Sequence, residues 1–301
     1  MIVFSGGDLP TPAVEIERRT ISEAHLGEFL RRIGWGDAPP HSPEGVPISY
    51  TLALRREHGP EITVVPQAFA IHGGHDIELV TALSIGHTYV VSGCVEQIFE
   101  KTGRSGPMTV VGRRIWIHEA SSGALAATIR DHQIVRWRPQ IAAAPAGTTD
   151  VHDVPASPDD DWTTLIEPDS VANLEVGDVV GPFVRGGPSA EDISSWAGVL
   201  RDRETLFHDP RGSRELGYAN LVVPGPLQSA VVDRAFALGL PKFTAVRLDM
   251  TFRQSLLADQ PMAIEGVVVD SDAEYRTCDI IIRRGLAGEI TSAGSVLLRG
   301  K

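Results

Sequence analysis

The chain has 301 residues and a formal net charge of -12, with 42% hydrophobic residues and two cysteines. That length suits two domains or one duplicated domain with enough apolar residues for a core in each half. The acidic balance and the lack of any basic run argue against nucleic acid as a partner. No stretch reaches the roughly 20 apolar residues of a membrane helix, and the N-terminus lacks the basic start and long apolar run of a signal peptide. A cytoplasmic location is the plain expectation.

The first helix is expected to start near Thr20 or Ser22, where Thr20 and Glu23 have capping-box spacing. Ile21, Leu26, Phe29, Leu30 and Ile33 form its apolar stripe, and Gly34-Trp35-Gly36 ends it. A second helix is expected from about Pro47 to Arg56, with Ile48, Leu52 and Leu54 inward. Two alternating strands then fill Gly74 to Val95, followed by strands over Met108 to His118 and Ala124 to Trp137. Residues 139–174, rich in Ala, Pro, Thr and Asp, read as a linker between units 1–138 and 175–301.

The second half repeats this order. Ser189 and Asp192 give capping logic for a helix over Ile193 to Leu200. A longer helix follows over Pro226 to Ala237. Proline favours its first turn, and Leu227, Ala230, Val231, Ala235 and Phe236 supply a broad apolar face. Strands over Val246 to Val268, Tyr275 to Arg284 and Gly288 to Arg299 complete the repeat. Cys94 and Cys278 fall in mid-strand, one per half, and read as small buried residues. A helix wrapped by an antiparallel sheet, twice over, gives an α+β fold whose ligands bind where the units meet.

That layout resembles the double-hotdog MaoC-like hydratases and dehydratases. The likeness rests on Glu96-Gln-Ile-Phe-Glu-Lys-Thr-Gly-Arg-Ser-Gly-Pro-Met108, on the strand after Ala70-Ile-His-Gly73, and on Asp209-Pro210 and Arg214-Glu-Leu-Gly-Tyr218. Its most specific block, Leu221-Val-Val-Pro-Gly-Pro-Leu-Gln228, is similar to the central-helix entry of the branch that includes mesaconyl-CoA hydratases. The resemblance implies a hydro-lyase on an acyl-CoA or acyl-carrier-protein thioester, without cofactor, membrane or nucleic acid, and compatible with a homodimer. A cyclase or isomerase on a polyketide-like substrate, or a thioester-binding protein without chemistry, is the alternative, because the scaffold hosts several activities.

Hydration needs an acid and a base around a water, and donors on the thioester oxygen. The resemblance assigns the second task to the N–H groups of Gly225 and Leu227, with Phe207 and Asn220 against the substrate. It places the family's acidic residue at Asp202. The family's histidine position is occupied by Phe207, and His208 is one residue beyond it. In the first half Asp37 and His41 form a similar pair, one residue shorter and stiffened by two prolines. Asp202 and His208 read as readily as solvated loop residues, and Asp37 and His41 read more readily as a Pro-rich helix exit than as a dyad. His72, His75 and Asp76 form a compact cluster, but strand alternation points Asp76 away from His75 and argues against a metal site. Arg104 is a candidate phosphate contact, and an exposed turn explains it as readily. No P-loop, dinucleotide fingerprint, zinc spacing or nucleophile elbow occurs.

Overall fold

The computed structural model describes residues 2–4, 9–35, 46–55, 62–64, 68–103, 106–137 and 174–301. Its first half runs β1 (Ile2–Phe4), β2 (Val14–Thr20), α1 (Glu23–Arg32), a 3-10 turn (Ile48–Tyr50), α2 (Thr51–Leu54), β3 (Ile62–Val64), β4 (Ala68–Leu79), β5 (Thr88–Gly103), β6 (Gly106–Glu119) and β7 (Leu125–Trp137). The second runs β8 (Val179–Arg185), α3 (Ala190–Leu200), α4 (Thr205–His208), α5 (Pro210–Glu215), α6 (Gly225–Gly239), β9 (Phe243–Phe252), β10 (Met262–Ser271), β11 (Tyr275–Arg284) and β12 (Ile290–Gly300).

Ten strands form one antiparallel sheet in the order β2-β5-β6-β7-β4-β9-β12-β11-β10-β8. Read outward from its centre, each half repeats the other: β4 matches β9, β7 matches β12, and so on to β2 and β8. The seam is the β4–β9 pairing, from Gly74↔Thr251 to Glu78↔Arg247. Gly74 permits it, since a Cβ there would stand 2.6 Å from the Met250 carbonyl oxygen.

The second unit wraps α6. Leu227, Ala230, Val231, Val232, Ala235 and Phe236 of this helix are all buried, and each large side chain withdrawn from water contributes about 1.5–3 kcal/mol. Its buried polar residues each find a partner, which offsets much of the cost of burying them. The Gln228 Oε1 accepts from the Ser292 hydroxyl at 2.7 Å, and the Arg234 guanidinium donates to the Ile33 carbonyl at 3.1 Å. Asp233 accepts from both the N–H and the hydroxyl of Ser49. The helix therefore ties the two units together as well as filling its own.

Three sequence expectations change in detail. The N-cap of α1 is Ser22, whose hydroxyl accepts from the His25 N–H, whereas Thr20 ends β2 and bonds to the Thr88 hydroxyl. The first unit's central helix, expected over Pro47 to Arg56, shrinks to the 3-10 turn and the single turn of α2. Arg55 leaves helical geometry, and its guanidinium reaches the buried carboxylate of Asp131 at 2.7 Å. An ion pair that has to be made in the interior thus overrides helix propensity. Third, β2 at the sheet edge was not anticipated at all. The Ser189–Asp192 capping box and the span of α6 match expectation. Both cysteines are free and buried. Residues 138–173 and Arg104 lie outside the described residues, as do Asp37 and His41.

Candidate active site

A cleft of about 960 Å³ opens at the junction of the units, against the start of α6. Pro224, Gly225 and Gln228 supply the helix end, Phe207 and Tyr218 come from the second unit, and His72 comes from β4 of the first. Lys101, Arg136 and Arg253 also line it. The size falls within the range of small-molecule sites, and position at a unit boundary is usual for them. The first-turn N–H groups of α6, including those of Gly225 and Leu227, have no acceptor within the helix, and the helix dipole makes this end positive. Gly225 faces the cleft; Leu227 is buried beneath it. Phe252 closes over the helix start so tightly that a Cβ on Gly225 would come within 2.4 Å of its ring.

Phe207 is a buried wall residue. Asp202 and His208 are not part of the cleft lining. The Asp202 side chain is buried and accepts from the Glu204 N–H at 2.8 Å, closing the turn between α3 and α4. His208 is exposed. Its Nε2–H donates to the backbone carbonyl of Asp202 at 2.7 Å, and Nδ1 lies 2.9 Å from the Ser194 hydroxyl. The pair is joined through a peptide oxygen, not through the carboxylate. Asn220 accepts from the Leu221 N–H and holds the loop before α6.

No protein-family model matches the chain, and no curated protein matches it in sequence. Solved structures do match in shape. A MaoC-like dehydratase superposes with a TM-score of 0.73 at 12% identity, over 96% of this chain and 98% of its own. A MaoC-like dehydratase from Phytophthora capsici gives 0.62 at 13% identity, over 97% and 96%. A conserved hypothetical protein from Mycobacterium tuberculosis, described as having a double hotdog fold, gives 0.60 at 12% identity, over 97% and 96%. The chain is a double hotdog.

Within this double hotdog a polar chain runs inward from the cleft wall at His72, and it joins two histidines of the cluster noted in the sequence to a partner the sequence did not signal. His72 Nε2 and His75 Nδ1 are 2.8 Å apart, and His75 Nε2 lies 2.9 Å from the hydroxyl of Ser229 on α6. Residues three apart on a regular strand face opposite sides. A register shift between His72 and Gly74 turns both imidazoles to one side. Gly73 makes room for it, since a Cβ there would meet Ile134 at 2.8 Å. Two glycines between two histidines were the available clue. Asp76 points to the other face, as alternation requires, and its carboxylate takes two hydrogen bonds from Arg247 at 2.7 and 2.8 Å.

Burial pushes His75 down to about 3, helped by the Arg55 cation and opposed by the Asp131 carboxylate. His72 is held well below the ordinary histidine value by burial first, then by Arg55, His75 and Arg113, again against Asp131. Asp131 itself is fully buried and held low by Arg113 and Arg55 despite its desolvation. Both histidines are therefore neutral at physiological pH. Among the described residues, no cluster of three or more His, Cys, Asp or Glu could hold a metal ion, and no helix is long and apolar enough to cross a membrane.

Proposed function

We propose that the protein is a hydro-lyase of the hydratase/dehydratase type, acting on an acyl thioester or a related activated carbonyl compound. The observation that carries this reading is the cleft at the N-terminal end of the buried helix α6, between the two units. Adding water to an enoyl thioester moves an electron pair onto the thioester oxygen. The Gly225 N–H at the positive end of α6 is a pre-organised donor for that charge. Leu227 supplies a second N–H in the same turn. Lys101, Arg136 and Arg253 suit the phosphates of a CoA or carrier pantetheine arm, which a protein of net charge -12 would otherwise repel. Similarity to MaoC-like dehydratases in fold agrees with this reading without fixing a substrate.

A second reading is favoured by one observation. Phe207 stands in the cleft wall, whereas Asp202 and His208 stand outside the lining. A site without a water-holding acid–base pair suits an isomerisation or cyclisation of a bulkier, polyketide-like chain. The test is to incubate the purified protein with crotonyl-CoA, a long-chain trans-2-enoyl-CoA and their saturated counterparts. Absorbance reports loss of the enoyl group, and mass spectrometry identifies the product. Hydrated product from the longer substrate supports the hydro-lyase; rearranged product of unchanged mass supports the second reading. Failure to bind or convert any thioester overturns both.

A further inference from the structure

We propose that His72 is the substrate-facing hydrogen-bond donor of this cleft, a neutral imidazole whose Nδ1–H meets the carbonyl oxygen of the bound thioester, with its tautomer set by His75 and Ser229. The proposal rests on the acyl-thioester reading for the identity of the substrate. The direction of the proton chain, however, follows from the protein alone.

Three facts fix that direction. Ser229 is fully buried, and among the described residues the only side-chain partner of its hydroxyl is His75 Nε2. A buried hydroxyl that accepted from His75 would leave its own hydrogen without an acceptor, which costs about 1–3 kcal/mol. The hydroxyl therefore donates to His75 Nε2. His75, being neutral, then carries its single proton on Nδ1 and donates it to His72 Nε2. His72, also neutral, must carry its proton on Nδ1. That nitrogen has no protein partner among the described residues, and His72 lines the cleft.

The surroundings hold this state. The charged groups acting on the pair are Arg55 and Arg113, which disfavour imidazolium, and Asp131, whose carboxylate both arginines already engage. Phe252 packs against both rings, with centroids 5.6 Å from each, and the same ring covers Gly225 at the start of α6. One aromatic side chain therefore packs on both the imidazole and the helix start, and His72, Phe252 and Gly225 all line the same cleft. A neutral imidazole donor polarises a carbonyl without placing a further fixed charge beside it. The role differs from that of a general base. It leaves the Phe207 position free to be apolar, as it is.

The experiment combines nitrogen-15 NMR of the histidines in the whole protein with infrared spectroscopy of bound hexanoyl-CoA carrying carbon-13 at the thioester carbonyl. At neutral pH, His72 is expected to be protonated on Nδ1 and not on Nε2. Ser229→Ala is expected to lose that preference while remaining folded. On binding, the labelled carbonyl stretch is expected to move to lower frequency in the wild type. The shift should be mostly retained in His72→Asn, whose amide nitrogen replaces Nδ1, and mostly lost in His72→Leu. A His72 protonated on Nε2, an imidazolium at neutral pH, or an equal carbonyl shift in His72→Leu overturns the proposal. Absence of hexanoyl-CoA binding to the wild type counts against the thioester reading, whereas the NMR result still decides the donor.

Discussion

Asp233 is a buried acidic residue on α6, and its removal should make stability less sensitive to pH. Its carboxylate accepts from the N–H and hydroxyl of Ser49 at 2.9 and 2.7 Å. These two bonds favour the ionised form, but burial outweighs them and raises the group to about 6, from an ordinary value of 3.8. Such a rise disfavours the folded ionised state by about 3 kcal/mol. The folded-state value lies above the unfolded one. Asp233 therefore favours folding fully below about pH 4, and this contribution is lost as pH climbs through about 6. Asp233→Asn keeps an acceptor for Ser49 but cannot ionise. Urea unfolding of wild type and variant, followed by circular dichroism between about pH 4 and pH 8, isolates this one group because all others are shared. The stability difference should tilt toward the variant by about 3 kcal/mol over that range. A difference that stays constant, or tilts toward the wild type as pH rises, refutes the reasoning.

Asp131→Ala strips the counter-charge from Arg55 and Arg113, both nearly fully buried, and should cost about 3–5 kcal/mol in the same unfolding assay; a loss below about 1 kcal/mol would mean that water reaches the guanidiniums. Ala230→Asp places an unpaired charge in the enclosed core around α6 and should abolish cooperative unfolding, so an unchanged midpoint would show that the helix can shift outward. Phe207→His should raise crotonyl-CoA hydration above the wild-type level, given that a general base contributes about a hundred- to ten-thousand-fold; ordinary hydration rates in the unmodified protein would place the base elsewhere. Asp202→Asn should leave the cleft intact and weaken the turn before α4, measured as a lower melting temperature, and unchanged melting would remove its structural role.

The elements that depend on local periodicity were legible in the chain. Strand alternation marked β4 to β7 and β9 to β12 and exposed the duplication, while the Ser189–Asp192 box and the Pro-Gly-Pro entry located α3 and α6. Such signals live within a dozen residues and need no partner to be read. The edge strand β2, the shortened first helix and the placement of the candidate site were decided by tertiary structure. Arg55 abandons its helix for Asp131, 76 residues later. Phe207 could be marked as a departure from the family pattern, but only the packed α3–α4 turn turned Asp202 inward and His208 toward solvent. The His72–His75–Ser229 chain closes across 154 residues, on a strand bulge of one unit and the central helix of the other. Hydrogen-bond partners so distant leave no periodic trace. Their pairing follows from the requirement that every buried polar group find a mate, and only the assembled fold specifies which mate is within reach.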